Sequence, residues 1–194
     1  MKKLVPILLV AFSIFAAGCG GLGAGSNISV KVDGKEHTFE PKSTWAYHST
    51  KSFSYPEDGK TVLTKSSVTH IVLANFDLDT SQAFISLGKQ KLEKPEQIKI
   101  TLSITGEKET SVDTPIKAGA YKAEEEKFNK VDSVTIYYFA DGEEKRMILD
   151  DKKLKGTINI ASVSDGTING DVDVTDGENT VKGGFSAKGD KSVK

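Results

Sequence analysis

The chain has 194 residues, with 26 Lys+Arg against 27 Asp+Glu for a formal net charge of −1, 37% hydrophobic and 8% aromatic residues, and one cysteine. A length of this order fits one globular domain with an appendage. The near-zero charge excludes nucleic-acid binding through a basic surface, and the apolar share is too high for a disordered chain and too low for a bundle of membrane helices. A lone cysteine excludes an intrachain disulfide and a cysteine-based zinc site.

At the N-terminus, Lys2 and Lys3 precede an apolar run from Leu4 to Ala17 and then the small residues Gly18, Cys19, Gly20 and Gly21. These are the charged, apolar and cleavage regions of an export signal, formed as a transient helix. Fourteen helical residues at ~1.5 Å each span about 21 Å, short of the ~30 Å hydrocarbon core, and Pro6 further disfavours a permanent anchor helix. Phe15-Ala16-Ala17-Gly18-Cys19 resembles the lipobox of bacterial lipoproteins, with Ala16 where that family most often carries Leu. The resemblance implies cleavage between Gly18 and Cys19 and attachment of diacylglycerol, with palmitate-type chains, to Cys19. The alternative is ordinary signal cleavage using Ala16 and Gly18, which leaves an exposed thiol in an oxidising compartment.

Residues 1–18 are therefore expected to be removed. Loss of Lys2 and Lys3 leaves 24 basic against 27 acidic residues and a mature charge of −3. Residues 19–27 comprise the lipidated cysteine and a glycine-rich tether, whose r.m.s. span of about 15 Å holds the domain near its membrane. Gly20 stands where the resemblance would place an aspartate for inner-membrane retention. The expected location is the outer membrane of a two-membrane host, or otherwise the outer face of the plasma membrane.

From Ile28 onward the apolar period is two. Ile98, Ile100, Leu102 and Ile104 alternate with Lys99, Thr101, Ser103 and Thr105, the pattern of a strand with one face in the core and one in water. In chain order, further strands are predicted at Ile28–Val32, Glu36–Glu40, Thr44–His48, Val68–Asp77, Ala83–Leu87, Ser133–Ala140, Lys145–Leu149, Thr157–Val163, Thr167–Val174 and Thr180–Ala187. Asp141-Gly142, Asp165-Gly166 and Asp176-Gly177 lie between such runs and supply hairpin turns. Lys89–Gln97 and Tyr121–Lys130 read as charged connections.

The expected architecture is a single all-β domain over 28–190, an antiparallel β-sandwich or closed β-barrel of about ten strands, with a disordered tail at 191–194. Strands of five to nine residues with Lys and Thr outward disfavour a membrane-spanning barrel. The segments Ile116–Tyr121, Gly156–Ile160 and Val181–Ser186 are similar to those of β-rich exported bacterial lipoproteins of unassigned function, a likeness that implies the fold class and no active site.

No nucleophile elbow, phosphate loop, dinucleotide fingerprint or metalloprotease motif is present in the sequence. His37, His48 and His70 have no metal-ligand spacing and read as unconnected. Asp171 to Asn179 departs from a calcium loop, because Thr175, Asp176 and Lys182 occupy the positions that need an oxygen ligand, a glycine and a glutamate. Asp171 and Asp173 instead read as outward residues of a strand. Asp77 and Asp79 share a strand face, and a catalytic role would require them to gather with His70 in a cleft.

Phe39, Trp45, Tyr47, Phe53 and Tyr55 concentrate five of the thirteen mature aromatics within seventeen residues. If Ser49–Ser52 turns the chain, Trp45, Tyr47, Phe53 and Tyr55 can stack across a hairpin, as core or as a ligand platform rimmed by His48 and Lys51. The sequence thus points to a non-enzymatic, lipid-anchored envelope protein with no cofactor or metal, whose partners are the membrane and an envelope protein or glycan. The alternative is a domain that binds a sugar, peptide or apolar ligand through the aromatic cluster.

Overall fold

The computed structural model describes residues 27–79, 89–125 and 127–189. The leader, Cys19, the tether up to residue 26, the strand expected at Ala83–Leu87 and the tail at 191–194 lie outside the described residues. Within them the fold is all-β. The strands are β1 (Ile28–Val32), β2 (Lys35–Phe39), β3 (Ser43–Glu57), β4 (Lys60–Ala74), β5 (Lys99–Lys108), β6 (Gly119–Lys122), β7 (Lys130–Ala140), β8 (Glu143–Ile148), β9 (Lys155–Ser164), β10 (Thr167–Thr175) and β11 (Thr180–Gly189).

Hydrogen-bonded neighbours form two runs, β3-β4-β5-β7-β8 and β6-β9-β10-β11-β1-β2. Two narrow joints connect them. Lys188 and Gly189 of β11 lie beside Trp45 and Ala46 of β3, and Lys122 of β6 lies beside Lys130 of β7. Both joints are parallel, so the sheet is mixed and the expected purely antiparallel arrangement is corrected. The reason is local: strand ends from different runs meet at corners, where one or two residues can pair without the long crossover that an extended parallel ladder requires.

Sequence alternation accounts for the core. Ile28 and Val30 on β1, Ile71 and Leu73 on β4, Ile100, Leu102 and Ile104 on β5, Ile136 on β7, Ile158 on β9, Val174 on β10 and Val181 on β11 are all fully buried. Full burial of each such side chain contributes about 1.5–3 kcal/mol, the force that fixes strand register. Asp33-Gly34, Asp58-Gly59, Asp141-Gly142 and Asp165-Gly166 each have both φ angles positive, the geometry of tight two-residue hairpins. Asp176-Gly177 lies instead in a four-residue connection between β10 and β11, where the Asp176 carboxylate accepts hydrogen bonds from the backbone N–H groups of Glu178 and Asn179 at 3.0 and 2.7 Å.

Two expectations about strand length fail. β3 runs straight through Ser49–Ser52, and its turn comes at Asp58-Gly59. Ser49-Thr50-Lys51-Ser52 contains no residue that readily adopts positive φ, whereas Asp-Gly does. β3 and β4 are each 15 residues long, so the premise of uniformly short strands also falls. The outward row of β9, β10 and β11 carries Thr157, Asn159, Asp171, Asp173, Lys182 and Lys188, polar as predicted. No helix among the described residues is long and apolar enough to cross a membrane.

Candidate functional site

Alternation on β3 places Trp45, Tyr47, Ser49, Lys51, Phe53 and Tyr55 on one face. Their partners across β4 are Val72, His70, Val68, Ser66, Thr64 and Val62. Next on that face come Thr101 and Ser103 of β5, opposite Val72 and His70, and then Thr135 and Ser133 of β7. The four predicted aromatics therefore share one face of one strand and do not fold back on one another.

They form two separate groups. Near the base of β3, the half-buried Trp45 and Tyr47 pack with Phe76 against buried Val72, Ala74 and Leu78. Tyr47 stacks on His70 with ring centroids 4.6 Å apart and planes inclined by 24°. Toward the tip, Phe53 meets Phe128 edge-to-face at 5.2 Å, and the Lys127 ammonium stands 3.8 Å from the Tyr55 ring centre. Lys51 lies between the groups, ion-paired to Asp132 at 2.7 Å.

His70 is held at both ring nitrogens. Ser49 Oγ lies 2.9 Å from Nε2 and Ser103 Oγ lies 3.0 Å from Nδ1, so a neutral ring donates to one hydroxyl and accepts from the other. Burial pulls its pKa down to about 4, with Asp132 opposing the shift and His48 and Lys51 adding to it. A general base works best with a pKa near the operating pH, and a ring at about 4 is a weak one. The two hydrogen bonds fix the orientation of the imidazole that stacks on Tyr47. Burial, reinforced by Tyr137, raises the Tyr47 hydroxyl above its usual pKa.

The row expected to face water is largely buried. Lys99 is 0% exposed, Ser103 5% and Thr105 0%. The Lys99 ammonium donates to the backbone carbonyl of Gln90 and stands 4.3 Å from the centre of the Tyr137 ring. Burial lowers its pKa to about 8, against the pull of Glu144. This correction has a cause in the chain: Leu78 of the connection after β4 packs with Val72 and Ala74, Gln90 of the same connection meets Lys99, and Thr105 Oγ1 lies against the carbonyls of Lys127 and Lys130, so chain on both sides of β5 covers this face. One signal was available, since Thr101, Ser103 and Thr105 are small hydroxyl residues where an open strand would more often carry long charged ones.

The remaining candidates stay apart. His48 faces the opposite side of β3 from Tyr47, is buried, and pairs through Nδ1 with Thr69 Oγ1 at 2.9 Å. His37 lies on β2, at the far end of the other run. β4 ends at Ala74, so Asp77 and Asp79 fall beyond it, correcting the predicted strand; the Asp79 backbone N–H donates to Gln90 Oε1 at 3.0 Å. Asp171 and Asp173 point outward, Asp171 accepting from Asn159 Nδ2 at 3.1 Å and Asp173 pairing with Lys182 at 2.7 Å. No group of three or more His, Cys, Asp and Glu is placed to hold a metal among the described residues. A separate cleft of about 600 Å³ opens beside the β1–β2 turn, walled by Asp33, Ile148, Asp150 and Asp176, and includes none of the predicted aromatics. No family model, curated protein or solved structure matches the chain.

Proposed function

We propose that the chain is a lipid-anchored envelope protein, held by acyl chains on Cys19, whose β domain serves an interaction or structural role and performs no catalysis. The observation that carries this reading is the succession of Lys2-Lys3, the apolar run Leu4–Ala17 and Phe15-Ala16-Ala17-Gly18-Cys19. Two or three acyl chains at ~0.8 kcal/mol per buried methylene hold a protein firmly, whereas one holds it only reversibly. The fixed, neutral state of His70 supports a binding surface over acid–base work. The architecture we propose is a closed β-barrel. This rests on the return of the pairings through β3-β4-β5-β7-β6-β9-β10-β11 to β3, because β11 pairs with both β10 and β3.

Labelling with a fatty-acid analogue and membrane fractionation test the anchor. The wild type incorporates the label and sediments with outer-membrane markers in a two-membrane host, while Cys19→Ser loses both label and processing. Unchanged labelling and partitioning of Cys19→Ser overturns the anchor. The second reading, binding of a sugar, peptide or apolar ligand, is favoured by Trp45 and Tyr47 standing half-buried beside one another on one strand face. Trp45 is the only tryptophan, so its fluorescence reports directly on that surface. A saturable change on titration with an envelope glycan, lost in Tyr47→Ala, supports this reading, and an unchanged spectrum opposes it.

A further inference from the structure

Three connections meet around the cleft of about 600 Å³ beside the β1–β2 turn, a size within the ~300–1,000 Å³ of small-ligand sites. The β1–β2 turn contributes Asp33, the β8–β9 connection Asp150 and Lys153, and the β10–β11 connection Asp176 and Glu178. Hydrogen bonds tie these walls together. The Asp150 backbone N–H donates to Asp176 Oδ2 at 3.2 Å, which joins two of the connections. Asp176 Oδ1 accepts from the backbone N–H groups of Glu178 and Asn179, which fixes where the Glu178 side chain leaves its loop. Asp33 is anchored from the core, because the hydroxyl of buried Tyr138 donates to its Oδ2. Burial, with Asp33 adding to it, raises that hydroxyl to about 12, so it stays a donor.

The lining combines apolar surface with an excess of one charge. Met147 packs against the core, while Ile148 is 46% exposed, one of three large hydrophobic side chains left exposed among the described residues. Around them, four carboxylates stand against the two ammonium groups of Lys31 and Lys153, an excess of two negative charges. The lysines offset this only in part, since Lys153 pairs with Asp150 at 3.7 Å with both side chains largely in water, where such a pair is weak. Asp176 is buried and serves the wall, whereas Asp33, Asp150 and Glu178 are exposed. A recess lined by one sign of charge concentrates ligands of the other, and exposed aliphatic surface beside it favours a ligand with an apolar body.

We infer that the cleft binds an aliphatic ammonium group, its methylenes against Ile148 and Met147 and its cationic head among Asp33, Asp150 and Glu178. Two sources carry that chemistry, a free linear polyamine and the lysine side chain of a peptide. A bare metal ion does not match it: no group of three or more His, Cys, Asp and Glu is placed to hold one among the described residues, and an ion has no use for Ile148. The site involves neither Trp45 nor Tyr47 and stands with or without the anchor.

Isothermal titration calorimetry of the full chain in a mild non-ionic detergent tests the site. The probes are spermidine and a short peptide with blocked ends and a single lysine. Saturable binding of spermidine alone supports the site and assigns a free polyamine, and tighter binding of the peptide supports it and assigns a lysine side chain. Pentylamine and methylamine, which carry the same charge, separate the two parts of the lining in the wild type. Methylamine is expected to bind at least roughly tenfold more weakly, for want of methylenes to bury. Equal binding of the two overturns the role of Ile148 and Met147. Asp33→Asn combined with Glu178→Gln removes two charges and keeps an acceptor oxygen for Tyr138. It is expected to weaken pentylamine binding by roughly tenfold or more, with the unfolding transition unchanged. Unchanged binding in that variant, or no binding of any probe by the wild type, overturns the site.

Discussion

The two runs of strands obey different rules on their outer faces. Along β9, β10 and β11, core residues alternate with Thr157, Asn159, Asp171, Asp173 and Lys182, and the polar row meets water. Along β4, β5 and β7 the same period of two is present, yet Val72, Ala74, Lys99, Ser103 and Thr135 are buried on the outer side as well. Alternation reports which residues lie on the same face, and one face is always the core. Whether the second face is wet depends on what chain lies over it, a tertiary fact that no local period encodes.

The largest effect that would break this comparison is expected in the regular half. Gly156, at the start of β9, has φ of +104°, and a Cβ there would run into the carbonyl oxygen of Asp173 on the neighbouring strand. Gly156→Val should therefore cost about 3 kcal/mol or more, through both backbone strain and steric conflict. Denaturant unfolding of the variant measures it. A loss below about 1 kcal/mol would mean that β9 and β10 yield at this point and that the regular half is the softer of the two.

In the covered half, the second-largest effect is a dependence on pH. The folded domain holds His70 at about 4, while an unfolded histidine titrates near 6.5. Between those values the unfolded chain carries a proton that the folded chain does not, so stability falls as pH drops through this window and levels off below about pH 4. At ~1.4 kcal/mol per pH unit, the His70 contribution is a loss of roughly 3 kcal/mol. His70→Gln should flatten the profile over that interval. Equal slopes for wild type and variant would show that His70 is solvated and that the outer face is open.

How much of this was readable in the chain follows the same division. The core rows, the Asp141-Gly142 and Asp165-Gly166 hairpins and the outward Asp171 and Asp173 are local consequences of period and turn chemistry, and they match the structure. Asp58-Gly59 carries the same turn signal, and Pro56 just before it is a residue that locally disfavours a strand interior. In the structure Pro56 lies on the side of β3 away from β4, so its missing N–H costs no bond of the β3–β4 ladder. Long-range placement was not readable. Nothing local tells Ser49 and Ser103, 54 positions apart in the chain, that one imidazole stands between them. β6 has only four residues, and its pairing with β9 likewise follows from the closing of the fold and not from any period of its own.

A smaller effect sharpens the contrast by reversing the usual sign. Thr101 Oγ1 is buried and has no hydrogen-bond partner among the described residues. A buried polar atom without a partner carries its desolvation penalty uncompensated, and an apolar replacement of the same shape removes it. Thr101→Val should raise stability by about 1 kcal/mol, where a solvated strand position would show almost no change. Thermal unfolding measures the sign, and a destabilised variant would mean that the hydroxyl has a partner after all.

The smallest expected effect belongs to the matching position on the wet face. Asp171 is exposed on β10, and its one described side-chain contact is the hydrogen bond from Asn159 Nδ2 across the β9–β10 ladder. In water both groups keep alternative partners, so losing the pair costs little. Neighbouring Val172 and Gly170 face the core and are untouched by a change at position 171. Asp171→Ala should therefore stay within about 0.5 kcal/mol of the wild type. Paired with Thr101→Val, it forms a two-point test: both residues occupy an outward position on a central strand, and only their cover differs. If Asp171→Ala cost as much as a core truncation, the outer row of β10 would also be covered, and the distinction between the two runs would collapse.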